Sequence, residues 1–205
     1  STPMGSLDQP FNPVSLALGA EASFVARTVD SDRKHLTEVL SAAAAHRGAA
    51  LVEIYQNCPI FNDGAFDALK GARDSEAANA VIPLRHGEPI RFGTPGPDGQ
   101  GSKGVVRDPG TGGVRVVDLE AKGSSEADLL VHDAHAADPT TAFALSRLTD
   151  SGYLHKAPIG IFRQVERPTY DDLARDQLAT ASAGTEDRSV ALTGLLNGAD
   201  TWSVA

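Results

Sequence analysis

Cys58 is the one residue in this chain whose type and setting point to chemistry. It is the only cysteine among 205 residues and lies in the run Gln56-Asn57-Cys58-Pro59-Ile60-Phe61-Asn62-Asp63. A lone cysteine is most often a buried small hydrophobe. Three features argue otherwise: the run follows a short apolar segment, Asn57 and Pro59 are loop residues, and Asn62-Asp63 brings hydrogen-bonding groups close by. A thiolate in such a loop can act as a nucleophile or as a metal ligand. A nucleophile needs a paired base, and the sequence identifies none. A zinc or iron–sulfur site needs further ligands, and the chain has no second cysteine.

Other patterns carry less. Gly99 to Gly104 spell G-x-G-x-x-G, but the run follows a Pro/Gly-rich stretch and precedes a Val-rich one. A dinucleotide site needs a strand before that motif and a helix after it. His132 and His135 frame H-x-x-H, which lacks the carboxylate and geometry of a metal site and reads as surface or strand-end histidines. Asp171, Asp172 and Asp176 read as a solvated helix start favoured by the helix dipole.

The elements around Cys58 follow from periodicity. Asn12-Pro13 has the form of a helix cap and first position, opening a short helix that Gly19 ends. Ala22 to Thr28 reads as a strand. Ser31 or Asp32 then caps a helix whose apolar residues Leu36, Val39, Leu40, Ala43 and Ala44 share one face, and Gly48 stops it. Ala49 to Tyr55 is short and apolar, the pattern of a buried parallel strand. A strand–helix–strand unit therefore spans Ala22 to Tyr55. Open α/β sheets bind ligands beyond the C-terminal ends of their strands, which is where Cys58 falls.

From Pro83 to Lys122 the texture changes to dense Gly and Pro with Val-rich runs at 104–107 and 113–119, predicting a β-hairpin-like insertion with long loops. Asp138-Pro139 opens another helix, Ile159 to Phe162 predicts a last strand, Tyr170 to Ala183 a helix, and the tail from Gly184 loose order. The expected domains are 1–82, the insertion 83–123, and a C-terminal extension 124–205.

Composition sets bounds. Hydrophobic residues make up 41% and charged residues 22%, ordinary for a soluble globular protein. A net charge of -9 argues against nucleic acid or an anionic membrane as the main partner. No window approaches the roughly 18 apolar residues of a membrane helix, and Ser1 to Gln9 do not form a signal peptide. A single cysteine suggests a reducing, cytoplasmic setting.

The segment Gly19–Asp63 closely resembles the β subunit of 2-oxoacid:ferredoxin oxidoreductases. Ser1–Pro13 resembles the family's stretch just after its thiamine-diphosphate and magnesium loop. The resemblance continues through His132-Asp133, Asp138–Leu148 and Pro158–Tyr170. The Gly/Pro-rich insertion is similar to that of the longer β subunits associated with 2-oxoglutarate.

The resemblance implies an α/β fold: part of a thiamine-diphosphate-binding domain with a mostly parallel sheet, a β-hairpin-like insertion and C-terminal helices. It implies that this chain is the C-terminal portion of its subunit. The family's GDG motif, CxxC pair and further cluster cysteine, which lie in its N-terminal half, are absent here. Cys58 matches the family's CP motif and is implied to be the fourth ligand of a [4Fe–4S] cluster. Thr2, Met4 and Gly5 are implied to lie near thiamine diphosphate and Mg2+, and no catalytic side chain is assigned.

The activity implied for the intact complex is oxidative decarboxylation of a 2-oxoacid. Coenzyme A receives the acyl group, ferredoxin the electrons, and an α subunit completes the active site. Alone, this chain is expected to be inactive. A cluster-free thiamine-dependent decarboxylase and a non-catalytic nucleotide-binding or assembly module are the alternatives.

Overall fold

The computed structural model describes residues 4, 7–8, 10–70, 76–149, 156–184, 188–198 and 202. They divide into two compact units, 1–167 and 168–205.

The first unit is built on a four-stranded sheet in the order β2-β1-β7-β3. Helix α1 (Pro13–Gly19) leads into it, with the Asn12 side chain accepting the Ser15 N–H at 3.0 Å and Pro13 in the first turn. Strand β1 (Phe24–Val29) is buried along its whole length. Helix α2 (Arg33–Ala45) is capped by Asp32, whose carboxylate accepts the His35 N–H at 3.0 Å. Strand β2 (Ala50–Tyr55) then pairs in parallel with β1, from Phe24 opposite Ala50 to Val29 opposite Tyr55. The expected strand–helix–strand unit is present, but β2 is an edge strand with no fully buried residue rather than the buried strand its apolar run suggested.

On the other side of β1 lies β7 (Ala157–Gln164), antiparallel to it, and beyond that β3 (Val81–Leu84), parallel to β7. Two of the three pairings are parallel, so the sheet is mostly parallel, as expected. Strand β3 was not foreseen, because Pro83 stands in its middle and opened the segment read as insertion. Proline lacks an N–H and is tolerated on an edge strand, which β3 is. At Gly160, in the middle of β7, φ is +136, and a Cβ would run into the Leu84 carbonyl of β3.

Between residues 91 and 118 a three-stranded antiparallel sheet forms from β4 (Arg91–Pro95), β5 (Gly101–Arg107) and β6 (Val114–Asp118). This is the expected β insertion with one more strand, since β4 lies in the Gly/Pro-rich stretch read as loop. A Cβ on Gly101 would collide with the Phe92 backbone, and one on Gly104 with the Leu129 side chain. Close packing therefore accounts for these two glycines, and the G-x-G-x-x-G spelling runs from a bend at Gly99 into strand β5, with no helix after it.

Alternation along the strands sorts the core onto two faces of the main sheet. On one, Val25, Ile82, Leu84 and Phe162 pack with Val14 and Leu18 of α1, Leu145 of α3 (Thr140–Ser146), and Ile90, Phe92 and Val105 of the insertion. On the other, Phe24 and Ala26 pack under Val39 of α2. A third cluster (Val29, Leu69, Ala80, Ala157 and Ile159, flanked by Tyr55 and Phe66) closes the end of the sheet where β1 and β2 finish.

The second unit contains α4 (Tyr170–Ser182) and α5 (Arg188–Asn197). A capping box between Thr169 and Asp172 opens α4, and Arg175 lies 3.8 Å from Asp171 and 3.6 Å from Asp172. The acidic run is thus a helix start, as read. Residues 188–197 are helical, whereas the tail was expected to be loosely ordered. Among the described residues, no helix is long and apolar enough to cross a membrane.

Candidate functional site

The loop carrying Cys58 leaves β2 at the C-terminal end of the parallel pair. What fixes that end is a charge buried one strand inward. Arg27, on β1, is 1% exposed and stands opposite Glu53 in the β1–β2 register. Its Nε donates to Glu53 Oε2 at 2.6 Å, and its Nη1 donates to Thr149 Oγ1 at 2.8 Å and the Pro158 carbonyl at 3.4 Å. The guanidinium also lies 5.1 Å from the Tyr55 ring centroid and 5.4 Å from that of Phe162. A buried guanidinium is tolerated when its donors are matched in this way. Burial pushes the Tyr55 hydroxyl above its ordinary pKa, with Arg27 opposing that shift.

Tyr55 in turn stacks on Phe66 with centroids 4.7 Å apart and planes 12° from parallel. The loop between them is tied down through Asn57. Its N–H donates to Asp30 Oδ2 at 3.2 Å, its Nδ2 donates to Asp63 Oδ1 at 2.9 Å, and its Oδ1 accepts the Gly64 N–H at 2.9 Å. Inside that frame the Asn62 N–H donates to the Cys58 carbonyl at 2.9 Å, closing a tight turn. Cys58 is half-buried at the base of the turn, and Ile60 and Phe61 form its tip at 86% and 80% exposure.

Cys58 is therefore not one of the fully buried residues of the core. It is one donor on a hydrogen-bonded loop. A [4Fe–4S] cluster takes four thiolates, and this sequence offers one. Among the described residues, no group of three or more His, Cys, Asp and Glu side chains could hold a metal ion. Cys58 therefore stands without further candidate metal ligands grouped around it among the described residues. Of the residues expected near thiamine diphosphate, Thr2 and Gly5 lie outside the described residues, and Met4 is exposed.

The H-x-x-H pair is not a metal site either. His132 is buried, and its Nε2 donates to the Ile161 carbonyl of β7 at 2.7 Å. Its Nδ1 is buried without a partner among the described residues. Burial, above all, holds its pKa below the usual imidazole value. His135 turns its Nδ1 to the Gln164 carbonyl at 2.7 Å, and its ring meets that of His86 edge-on, 4.2 Å between centroids.

Sequence reasoning located the loop and missed its supports. A lone Arg inside ASFVART and a lone Glu inside ALVEIY were the available signal, since a charge in a buried strand needs a partner.

This geometry defines an α/β scaffold presenting a thiol loop at the C-terminal ends of parallel strands. No family model matches the chain. Over 207 aligned residues covering the whole of it, the chain is 55% identical to 2-oxoglutarate oxidoreductase subunit KorB of Mycobacterium tuberculosis. Over 63 residues it is 38% identical to the 2-oxoacid:ferredoxin oxidoreductase β subunit of Saccharolobus solfataricus. The structure is similar to that of 2-oxoglutarate:ferredoxin oxidoreductase from Magnetococcus marinus, with a TM-score of 0.54 at 19% identity over 98% of this chain, which supports the fold.

The chain is a homologue of the 2-oxoacid:ferredoxin oxidoreductase β subunits. The match that runs over the whole of this chain is to a 2-oxoglutarate oxidoreductase subunit. It spans 51% of that relative and 48% of the matched chain of known structure, about half of each.

Proposed function

We propose that this chain serves in the β subunit of a 2-oxoacid:ferredoxin oxidoreductase acting on 2-oxoglutarate. The complex would release carbon dioxide, pass the acyl group to coenzyme A and deliver electrons to ferredoxin. The observation that carries this reading is the coincidence of 55% identity over the whole of this chain to a 2-oxoglutarate oxidoreductase subunit with a half-buried cysteine just beyond the C-terminal ends of the parallel strands. Thiamine diphosphate with Mg2+, when bound, would supply an electron sink for decarboxylation, and a [4Fe–4S] cluster held in part by Cys58 would supply single-electron transfer.

The same reading assigns roles to this chain's own residues. Cys58 ligates the cluster and is not a nucleophile. Asn57 holds the Cys58 loop through its three hydrogen bonds, and Arg27 with Glu53 fixes the strand ends from which the loop springs. Thr2 and the backbone of Met4 and Gly5 are the groups this reading assigns to contact thiamine diphosphate. The partners are an α subunit, ferredoxin and coenzyme A, in the cytoplasm.

The test is Cys58→Ala in the assembled complex, read by iron content and visible absorbance. Loss of cluster iron is expected, whereas unchanged iron and absorbance would overturn the ligand role. The chain alone, given thiamine diphosphate, Mg2+ and an electron acceptor, is expected to show no turnover.

A further inference from the structure

Residues 131–135 tie the β insertion to the end of β7. On one side their backbone meets the turn after β3. The Gly87 N–H donates to the His132 carbonyl at 2.8 Å, and the His132 N–H donates to the Glu88 carbonyl at 2.9 Å. On the other side they meet Gln164, the last residue of β7. Its N–H donates to the Ala134 carbonyl at 2.7 Å, and its carbonyl accepts from His135 Nδ1 at 2.7 Å.

At the centre of this clasp one atom has two partners of opposite kind. His86 Nδ1 accepts the Ala134 N–H at 3.2 Å and also lies 3.4 Å from Asp133 Oδ1. A backbone N–H only donates, and an ionised carboxylate only accepts. A bare Nδ1 can therefore hold Ala134 and not Asp133. A protonated Nδ1 can hold Asp133 and not Ala134. Solvent has access to this choice, since the His86 and Asp133 side chains are 50% and 60% exposed. Imidazole is the side chain whose charge ordinarily changes between about pH 5 and 8.

The surrounding charges come from every side. On the turn, Arg85 pairs with Glu88 at 3.4 Å. On β7, Arg163 is turned away to Glu21. Across the groove that His86 lines stand Asp32, His35 and Glu38 of α2, and Arg91 of β4 paired with Glu126. The His135 ring meets His86 edge-on, 4.2 Å between centroids, so two positive rings there would repel.

His132 adds a second proton site that only opening reveals. Its ring is buried, bonded through Nε2 to the Ile161 carbonyl of β7, and its Nδ1 has no partner among the described residues. Burial keeps the ring neutral while the segment is closed. A lifted segment would offer that nitrogen to water.

We propose that His86 and Asp133 form a proton-operated latch: the neutral His86 ring pins residues 131–135 through the Ala134 N–H, and its cation turns to Asp133 and lets the segment lift from β7. The closed segment then holds fewer protons than the lifted one, so the latch is shut at neutral pH and opens as the pH falls. The device is local, because β1, β2 and the Cys58 loop share none of these bonds.

Amide hydrogen exchange on the protein in its native assembly, corrected for the intrinsic pH dependence of exchange, tests the latch. Protection across residues 131–135 is expected to fall at least about tenfold between about pH 7.5 and about pH 5.5, as a local opening, while β1 keeps its protection. Equal protection at both pH values would overturn the proposal. So would a loss shared equally by β1, which would be global unfolding. His86→Asn puts a neutral acceptor in place of Nδ1 and is expected to hold the segment at both pH values. A tenfold loss that persists in this variant would overturn the role of His86 and leave the effect to His132. Asp133→Asn keeps an oxygen for the His135 N–H at 2.9 Å but takes away the carboxylate that receives the charged ring. It is expected to move the loss at least about half a pH unit lower. If His86→Asn does not fold, an unmoved midpoint in Asp133→Asn is the result that sinks the latch.

Discussion

Two buried arginines sit on adjacent strands of the main sheet and are handled in opposite ways. Arg27, towards the Cys58 end, meets a carboxylate on the neighbouring strand, a hydroxyl, a carbonyl and two aromatic faces. Arg163, towards the other end, reaches outward. Its Nη1 donates to Glu21 Oε2 at 2.8 Å, its Nη2 to the Ala137 carbonyl at 2.8 Å, and its Nε is left without a partner among the described residues. Glu53 is 17% exposed and Glu21 54%. One charge is sealed inside the sheet, and the other is clipped to its rim. The end that presents the cysteine is the end built for rigidity.

That contrast can be broken most sharply at Arg27. Arg27→Ala leaves Glu53 without its cation and opens space beneath Tyr55 and Phe162. A loss of about 3–5 kcal/mol is expected in denaturant unfolding. Arg163→Ala should cost less, about 1–3 kcal/mol, because water already reaches Glu21. The Arg163–Glu21 contribution should also shrink with added salt, while that of Arg27–Glu53 should hardly change. Equal losses and equal salt responses would erase the distinction.

His132 sharpens the same comparison, since it is a buried group left half-satisfied. Its neutral ring donates to Ile161, and a second proton would find no acceptor at Nδ1. The folded state therefore resists protonation more than the unfolded chain does. Stability should be fully present above pH about 6.5, the unfolded-state value. It should fall as the pH drops from there towards the lower folded-state pKa, because the unfolded state then binds more protons. His132→Asn should flatten that part of a stability-against-pH profile measured by unfolding. The smallest effect is expected at Asn12→Ala, which removes the α1 cap and the bond from Asn12 Nδ2 to the Ser146 carbonyl at 3.0 Å. About 1 kcal/mol of thermal or denaturant stability should go.

What could be read in the sequence followed what is local. Asn12-Pro13, the α2 stripe and the apolar run before Gln56 each announce themselves within a dozen residues, so β1, α2, β2 and the Cys58 loop were legible. Strands β3 and β4 were not, because Pro83, Gly93 and Pro95 are residues a strand tolerates only where tertiary context leaves an edge or a close crossing. The Arg27–Glu53 pair was hidden for another reason. Its partners are 26 positions apart, and their meeting depends on parallel register. His86 lies 48 residues from Ala134, whose N–H it accepts, and no periodicity joins them. The helix at 188–197 was missed because its apolar residues Val190, Leu192, Leu195 and Leu196 form no single stripe.

Gly160 shows how much can hang on atoms that are not there. With its backbone at φ +136 against Leu84, β3 docks only because the central residue of β7 ends at its α-carbon. Alanine at that position would act as a wedge. The sheet would stop at three strands, and the aliphatic floor formed by Ala80, Ala157 and Ile159 beneath Tyr55 would come apart with it.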